Sequence, residues 1–202
     1  MNRKYYSFIS GGGIVLKNKK EQIDKAAYEI FQKNGYKKTN ISEVAQHAGI
    51  AVGSFYKYYQ SKEELFLQIY IIENEKIRNQ LIETVNWNDE PTNIVDKIFD
   101  YSIEIILSNK ILAEWNNPDI SNTLHNYYSS KKGKLDNTFH QFLLKTIKER
   151  LKDDYDTQTI DNMLNVYELI YFIDCNITNN DFVNYAESLK IMVRYFIKGL
   201  LQ

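Results

Sequence analysis

Between Ala51 and Lys62 the chain carries side chains that could recognise a charged polymer with a patterned edge. Ala51-Val52-Gly53-Ser54 offers methyl groups and one hydroxyl, and Tyr56, Lys57, Tyr58 and Lys62 follow with phenols and ammonium groups. Methyls can pack on thymine methyls, a hydroxyl can bond a base edge, and Lys or Tyr can bond phosphate. Gly53 is the odd member, because glycine inside a helix costs about 1 kcal/mol relative to alanine. A helix that must approach base edges closely would justify it, since a larger side chain there would hold the backbone away.

Bond-making chemistry finds no comparable set. His47, His125 and His140 are preceded at three residues by Val44, Asn122 and Asn137, so the Glu-x-x-His pairs of di-iron bundles are missing. One cysteine, Cys175, and no paired histidines leave no zinc set, and the P-loop, G-x-G-x-x-G and G-x-S-x-G signatures are absent. No enzymatic activity, metal or cofactor is expected. The lone cysteine suits a reducing, cytoplasmic compartment, and no apolar run approaches the roughly 20 residues of a membrane span.

The elements that must hold the tip in place read as helices. Only Pro91 and Pro118 interrupt the chain, and hairpin dipeptides between alternating strands are lacking, so the fold is expected to be all-α. Ile23, Ala27, Ile30 and Phe31 form the i, i+4, i+7, i+8 stripe of a helix over 19–34, with Gly35 where it should stop. Asn40 can cap a second helix, with Glu43 at the capping-box position, and Ile41, Val44, Ala45 and Ala48 make its inner face. Gly49 ends it, ready for positive φ at the corner. Phe55 and Tyr59 then give the inward side of a short third helix. Two helices joined by so tight a turn read as a helix-turn-helix, whose second helix presents its N-terminal end to the major groove. Asn40 and Ser42, at the positive end of the second helix, could also reach phosphate.

Ser61, with Glu64 three residues on, caps a long fourth helix running to about Asn86. A fifth is expected over 92–108, a loop or kink at "EWNNPD", further helical stretches to Lys152, and two closing helices over 157–176 and 181–200. Charge is unevenly spread: residues 1–62 hold eleven Lys/Arg against four Asp/Glu, a net +7, while the remainder is −8. A basic head on an acidic body points to a polyanionic partner for the head. The organisation expected is a disordered or loosely docked tail over 1–16, a helix-turn-helix domain over 17–62 and a helical domain over 63–202. The tail carries Gly11-Gly12-Gly13 and no cleavage site; a translation start near Leu16 would remove it altogether.

The stretch "TNISEVAQHAGIAVGSFYKYYQSKEEL", preceded by "AAYEIFQKNGY", resembles the DNA-binding domain of TetR-family transcriptional regulators. The resemblance covers about residues 19–66 and rests on Val44-Ala45, Ala48-Gly49-Ile50, Phe55-Tyr56, Tyr59 and Lys62-Glu63-x-Leu65. Tyr59 stands where the family usually has phenylalanine, Asn40 where threonine or serine is common, and Val52 where lysine or a polar residue is frequent. The resemblance implies a repressor bound to double-stranded DNA at an inverted-repeat operator, acting as a homodimer and released by a small, largely apolar effector. DNA contacts are then expected from Asn40, Ser42, Ala51, Val52, Gly53, Ser54, Tyr56, Lys57, Tyr58 and Lys62.

For the remaining helices the family implies a ligand-binding and dimerisation bundle. Ile160, Leu164 and Tyr167 on one closing helix and Leu189, Val193, Phe196 and Leu200 on the other form stripes that could build a four-helix interface with a second copy. Phe99, Tyr101, Glu104, Trp115, Phe139, Phe142, Tyr167 and Tyr171 are the expected pocket residues. Glu104, Glu114 and Asp174 beside those aromatics make a lipophilic cation conceivable. Two other readings stay open: a helix-turn-helix regulator without a small-molecule effector, and a protein-binding adaptor.

Overall fold

The computed structural model describes residues 18–178 and 180–200. The expected tail over 1–16 lies outside them. Every regular element among the described residues is helical. α1 spans Lys19–Lys38, and Asn18 caps it by accepting from the Glu21 N–H at 3.0 Å. Gly35 breaks the helical geometry at the expected place, with φ 75° and ψ 178°, but one more turn follows to Lys38.

α2 is Ile41–His47 and α3 is Val52–Phe55. The corner between them is a Schellman arrangement. The Gly49 N–H donates to the Gln46 carbonyl at 3.1 Å and the Ile50 N–H to the Ala45 carbonyl at 2.9 Å, with Gly49 at φ 67°. Asn40 accepts from the Glu43 N–H at 2.8 Å, as its capping position requires. The Glu43 carboxylate turns to the Asn34 amide instead of closing the box.

α4 is Lys62–Thr84, α5 Pro91–Ser108, and a 3-10 helix over Leu112–Asn116 occupies the expected loop. α6 is Ser121–Ser129, α7 Lys131–Asp136, α8 Thr138–Leu151, α9 Thr157–Asn176 and α10 Tyr185–Leu200. α9 has the bounds its periodicity implies. α10 begins four residues later than expected, because the Asp181 carboxylate closes a turn by accepting from the Thr178 N–H at 2.9 Å and its hydroxyl at 2.8 Å.

The described residues form two compact units. Among the described residues, the first holds 18–77 together with 105–123, and the second holds 78–104 and those from Leu124 to Leu200. In the first, Ile23, Ala27, Phe31, Val44, Ala45, Phe55, Leu65 and Phe66 are buried, and the Phe31 and Phe66 rings meet edge to face at 4.8 Å. The buried side chains of the second include Leu81, Ile94, Leu124, Phe139, Leu151, Ile160, Leu189 and Leu200. Within that unit α5 and α10 are tied by Lys190 to Asp100 at 2.8 Å and by Arg194 to Asp96.

Candidate functional site

The tip of the head has the form its sequence suggested. Ala51, Val52, Gly53, Tyr56, Lys57 and Tyr58 are exposed, Ser54 is half-buried, and Phe55 and Tyr59 turn inward. A methyl group added at Gly53 would meet nothing within 4 Å. The fold itself therefore has no need of a glycine there. Ala51, the residue before the first turn of α3, makes no side-chain cap, which leaves that end of the helix to small, bare backbone. Asn40 and Ser42 are exposed as well, although the Asn40 carbonyl oxygen is engaged in capping and only its amide remains to reach outward.

Lys62, expected at phosphate, is half-buried and engaged within the head. Its ammonium donates to the Tyr36 carbonyl and to the Thr39 carbonyl, both at 3.1 Å, and sits 4.1 Å from the centre of the Tyr36 ring. Lysine at the end of a helix satisfies carbonyls that the helix leaves over. Here it braces the end of α1 against the start of α4. The neighbouring Glu63 accepts from the Tyr36 hydroxyl at 2.8 Å, so its carboxyl is held below the usual range by backbone and Tyr36 hydrogen bonds, and burial and Glu63 push the Tyr36 phenol up.

Tyr59 shows why a hydroxyl stands where the family prefers phenylalanine. Its OH donates to the buried Asp24 carboxylate, and the Lys20 ammonium reaches both, at 3.0 Å to Asp24 and 2.5 Å to the Tyr59 oxygen. Burial still raises the Asp24 pKa, against the lowering pull of Tyr59 and Lys20. Periodicity marks Tyr59 as core but gives no hint of Asp24, an acid on the inner face of α1. Tyr59→Phe is expected to destabilise the protein by about 1–3 kcal/mol, the cost of leaving a buried acceptor short of a donor. Chemical denaturation of the variant measures it, and a change below about 0.5 kcal/mol would refute the assignment.

The residues expected to line a pocket do not all come together. Trp115 and Glu114 belong to the head unit, where Trp115 stacks on Tyr70 at 6.1 Å. Phe142 packs on Trp87 at 4.6 Å. Phe99 and Tyr101 are half-buried on α5 and Glu104 is exposed; burial, then the Glu104 charge, raises the Tyr101 hydroxyl. Phe139, Tyr167 and Tyr171 do assemble, around Arg78 and His140, neither of which is among the expected pocket residues. The Arg78 guanidinium lies 5.4 Å from the Phe139 ring centre. His140 is buried, bonded to the Tyr167 hydroxyl and to Glu168, both at 3.0 Å, with its ring 4.2 Å from that of Tyr171. Burial lowers its pKa despite Glu168, which keeps the ring neutral, and burial raises both tyrosines. Asp174 is exposed and accepts from the Tyr185 hydroxyl at 3.4 Å.

The stripes expected to pair two copies are partly used inside the chain itself. Ile160, Leu189 and Leu200 are buried within their own chain, and Leu164, Tyr167, Val193 and Phe196 are half-buried. The exposed apolar side chains of the same helices are Val166, Leu169 and Phe172 on α9, and Ile191, Met192 and Tyr195 on α10. Among the described residues no cluster of three His, Cys, Asp or Glu could hold a metal ion, and no helix is long and apolar enough to cross a membrane.

A Schellman corner that presents a short, small-residue helix end on a basic head defines a helix-turn-helix protein. Residues 23–69 match the family model of the bacterial regulatory proteins of the tetR family. Residues 23–69 thus resemble the N-terminal DNA-binding domain of that family. It is 30% identical over 95 residues to an uncharacterised HTH-type transcriptional regulator, YuxN, of Bacillus subtilis, covering 47% of this chain and 33% of that one. It is 38% identical over 63 residues to the HTH-type transcriptional regulator QacR of Staphylococcus aureus, covering 31% and 34%. The chain thus spans about a third of the length of these relatives. Among solved structures, Thermus thermophilus FadR, a TetR-family transcriptional repressor in complex with lauroyl-CoA, superposes with a TM-score of 0.53 at 20% identity, covering 90% of this chain and 95% of that one. That likeness extends the shared fold beyond the head.

Proposed function

We propose that this protein is a cytoplasmic, sequence-specific DNA-binding regulator that represses transcription as a homodimer on an inverted repeat and is released by a small, largely apolar effector. The observation that carries the reading is Gly53: exposed at the tip, with nothing within 4 Å of where a Cβ would stand, and flanked by Ala51, Val52 and Ser54. Its bareness serves something outside the chain. Base edges in a major groove fit that need, with Tyr56, Lys57 and Tyr58 beside the tip for phosphate. The match of residues 23–69 to the tetR family supports the same reading.

One short helix reads few base pairs, so two copies are required, about one DNA turn or a multiple apart. The exposed apolar faces of α9 and α10 supply a surface that a second copy would cover. For the effector, the Phe139, Tyr167 and Tyr171 rings form the apolar part of a site, with Arg78 and Asp174 as its charged ends. The FadR fold neighbour carries a fatty acyl thioester, a ligand with a long apolar part.

Gly53→Ala separates recognition from folding. Replacing a helical glycine with alanine in open space is expected to raise stability by up to about 1 kcal/mol, while affinity for the operator falls about tenfold or more. The operator is obtained by selection from random DNA and footprinting. Wild-type protein that selects no inverted repeat would end the reading in favour of an adaptor. A Gly53→Ala protein that binds the selected site as well as wild type would remove Gly53 from the interface. Thermal shift with lauroyl-CoA and with a lipophilic quaternary ammonium tests the effector, since a ligand bound to the native state must raise stability; no shift with either favours a regulator without one.

A further inference from the structure

The outward-facing tip has little support of its own. α3 holds four residues, and helices shorter than about 12–15 residues are barely stable by themselves. Ala51 gives it no side-chain cap. The turn that follows hangs on one carbonyl: the Phe55 oxygen accepts from the Tyr58 N–H at 2.9 Å and from the Tyr59 N–H at 3.2 Å. Tyr56, Lys57 and Tyr58, the side chains proposed at phosphate, are therefore strung between two buried residues, Phe55 and Tyr59. Phe55 is a hydrocarbon anchor, and burial of hydrocarbon has no preferred direction. Tyr59 is held in another way.

At Tyr59 three polar groups close a triangle. The hydroxyl donates to one oxygen of Asp24. The Lys20 ammonium donates to the other oxygen at 3.0 Å and to the hydroxyl oxygen at 2.5 Å, standing 4.7 Å from the centre of the Tyr59 ring. Lys20 and Asp24 lie one turn apart near the start of α1, so the triangle joins that end of α1 to the foot of the tip. Hydrogen bonds fix distance and direction, which apolar packing does not. Stability does not account for the arrangement. Asp24 is 1% exposed, and burial pushes its carboxyl up despite both donors. An ion pair taken out of water ordinarily stabilises no more than apolar residues of similar size would. The loss expected of Tyr59→Phe measures an acceptor left behind, not the net worth of the triangle.

We propose that Asp24 and Lys20 are positioning residues: through the Tyr59 hydroxyl they fix where the far end of the tip stands, and with it the placing of Tyr56, Lys57 and Tyr58 on the DNA backbone. Phosphate contacts set the register in which base edges are read. A tip released at Tyr59 therefore keeps its charge and loses its discrimination. The inference rests on the DNA-binding reading above.

The experiment uses the full chain and compares wild type, Lys20→Met and the double variant Asp24→Leu with Tyr59→Phe. Chemical denaturation gives the stability of each. Binding is measured to a duplex carrying one half-site selected by wild type, and to an unrelated duplex. The double variant replaces the polar triangle with an apolar pair, and is expected to be as stable as wild type or more so. It should bind the half-site about tenfold more weakly and the unrelated duplex as before. Lys20→Met keeps the apolar stem of a side chain that is 36% exposed, so it opens the triangle and decides the matter if the double variant does not fold. It is expected to weaken half-site binding more than binding to the unrelated duplex. Unchanged half-site affinity in a folded variant would overturn the proposal, as would equal losses on both duplexes, the mark of a direct phosphate contact. Wild type that selects no sequence would instead fail the DNA-binding reading, and this inference with it.

Discussion

Gly35→Ala is expected to lower the stability of the protein by about 2–4 kcal/mol. Gly35 has φ 75° and ψ 178°, a region essentially reserved for glycine, where another residue costs roughly 1–3 kcal/mol. Its Cβ would also fall 2.7 Å from the Glu114 carboxylate, so that group must leave the Tyr36 N–H from which it accepts, or the backbone must shift. A lost bond of this kind adds about 1–3 kcal/mol. The two contributions can be separated. In a Glu114→Ala background the clash is gone and only the backbone strain remains, so the second substitution should cost less than it does alone, which a double-mutant cycle measures. A Gly35→Ala protein within about 0.5 kcal/mol of wild type would show that the end of α1 can turn in another way.

Introducing charge on the exposed faces of α9 and α10 is expected to abolish dimerisation and, with it, operator binding. Leu169 and Phe172 are 57% and 54% exposed and Tyr195 is 69% exposed. Large apolar side chains left uncovered on the two closing helices mark a candidate interaction surface. In a twofold interface each substituted position faces a copy of the same patch, so Leu169→Glu with Tyr195→Glu places like charges together in a desolvated setting. Sedimentation should give a monomer. Affinity for an inverted repeat should drop by on the order of a hundredfold or more, the gain that linking two sites ordinarily supplies, while the isolated half-site is bound as before. Dimeric double variant would move the interface off these helices.

How much of this could be read in advance differs from element to element, for physical reasons. Local rules were sufficient for the corner at Gly49, the caps at Asn40 and Ser61, and the bounds of α9, because a cap or a Schellman turn is written within a few residues. They also placed the tip residues on the outside. Periodicity says that a helix has an apolar side and leaves open what covers it. The stripe through Ile160, Leu189 and Leu200 is therefore visible in the sequence, whereas its burial within the chain is not. Lys62 looked available because its acceptors, the Tyr36 and Thr39 carbonyls, lie in another helix end. The membership of 105–123 in the head was hidden for the same reason: Asn109 and Glu114 act on Glu73 and Tyr36, partners far away in sequence. Arg78 and His140 carried no recognisable spacing at all.

The tip also has a bearing on how such a protein can change. From Ala51 to Tyr58 only Phe55 is buried, and a side chain added at Gly53 meets nothing. The residues proposed to choose the DNA sequence are thus nearly separate from those that hold the head together. Surface substitutions of this kind usually shift stability by less than about 0.5 kcal/mol. A lineage, or an engineer, could rewrite Ala51, Val52 and Ser54 one at a time and pass from one operator to another through intermediates that all remain folded.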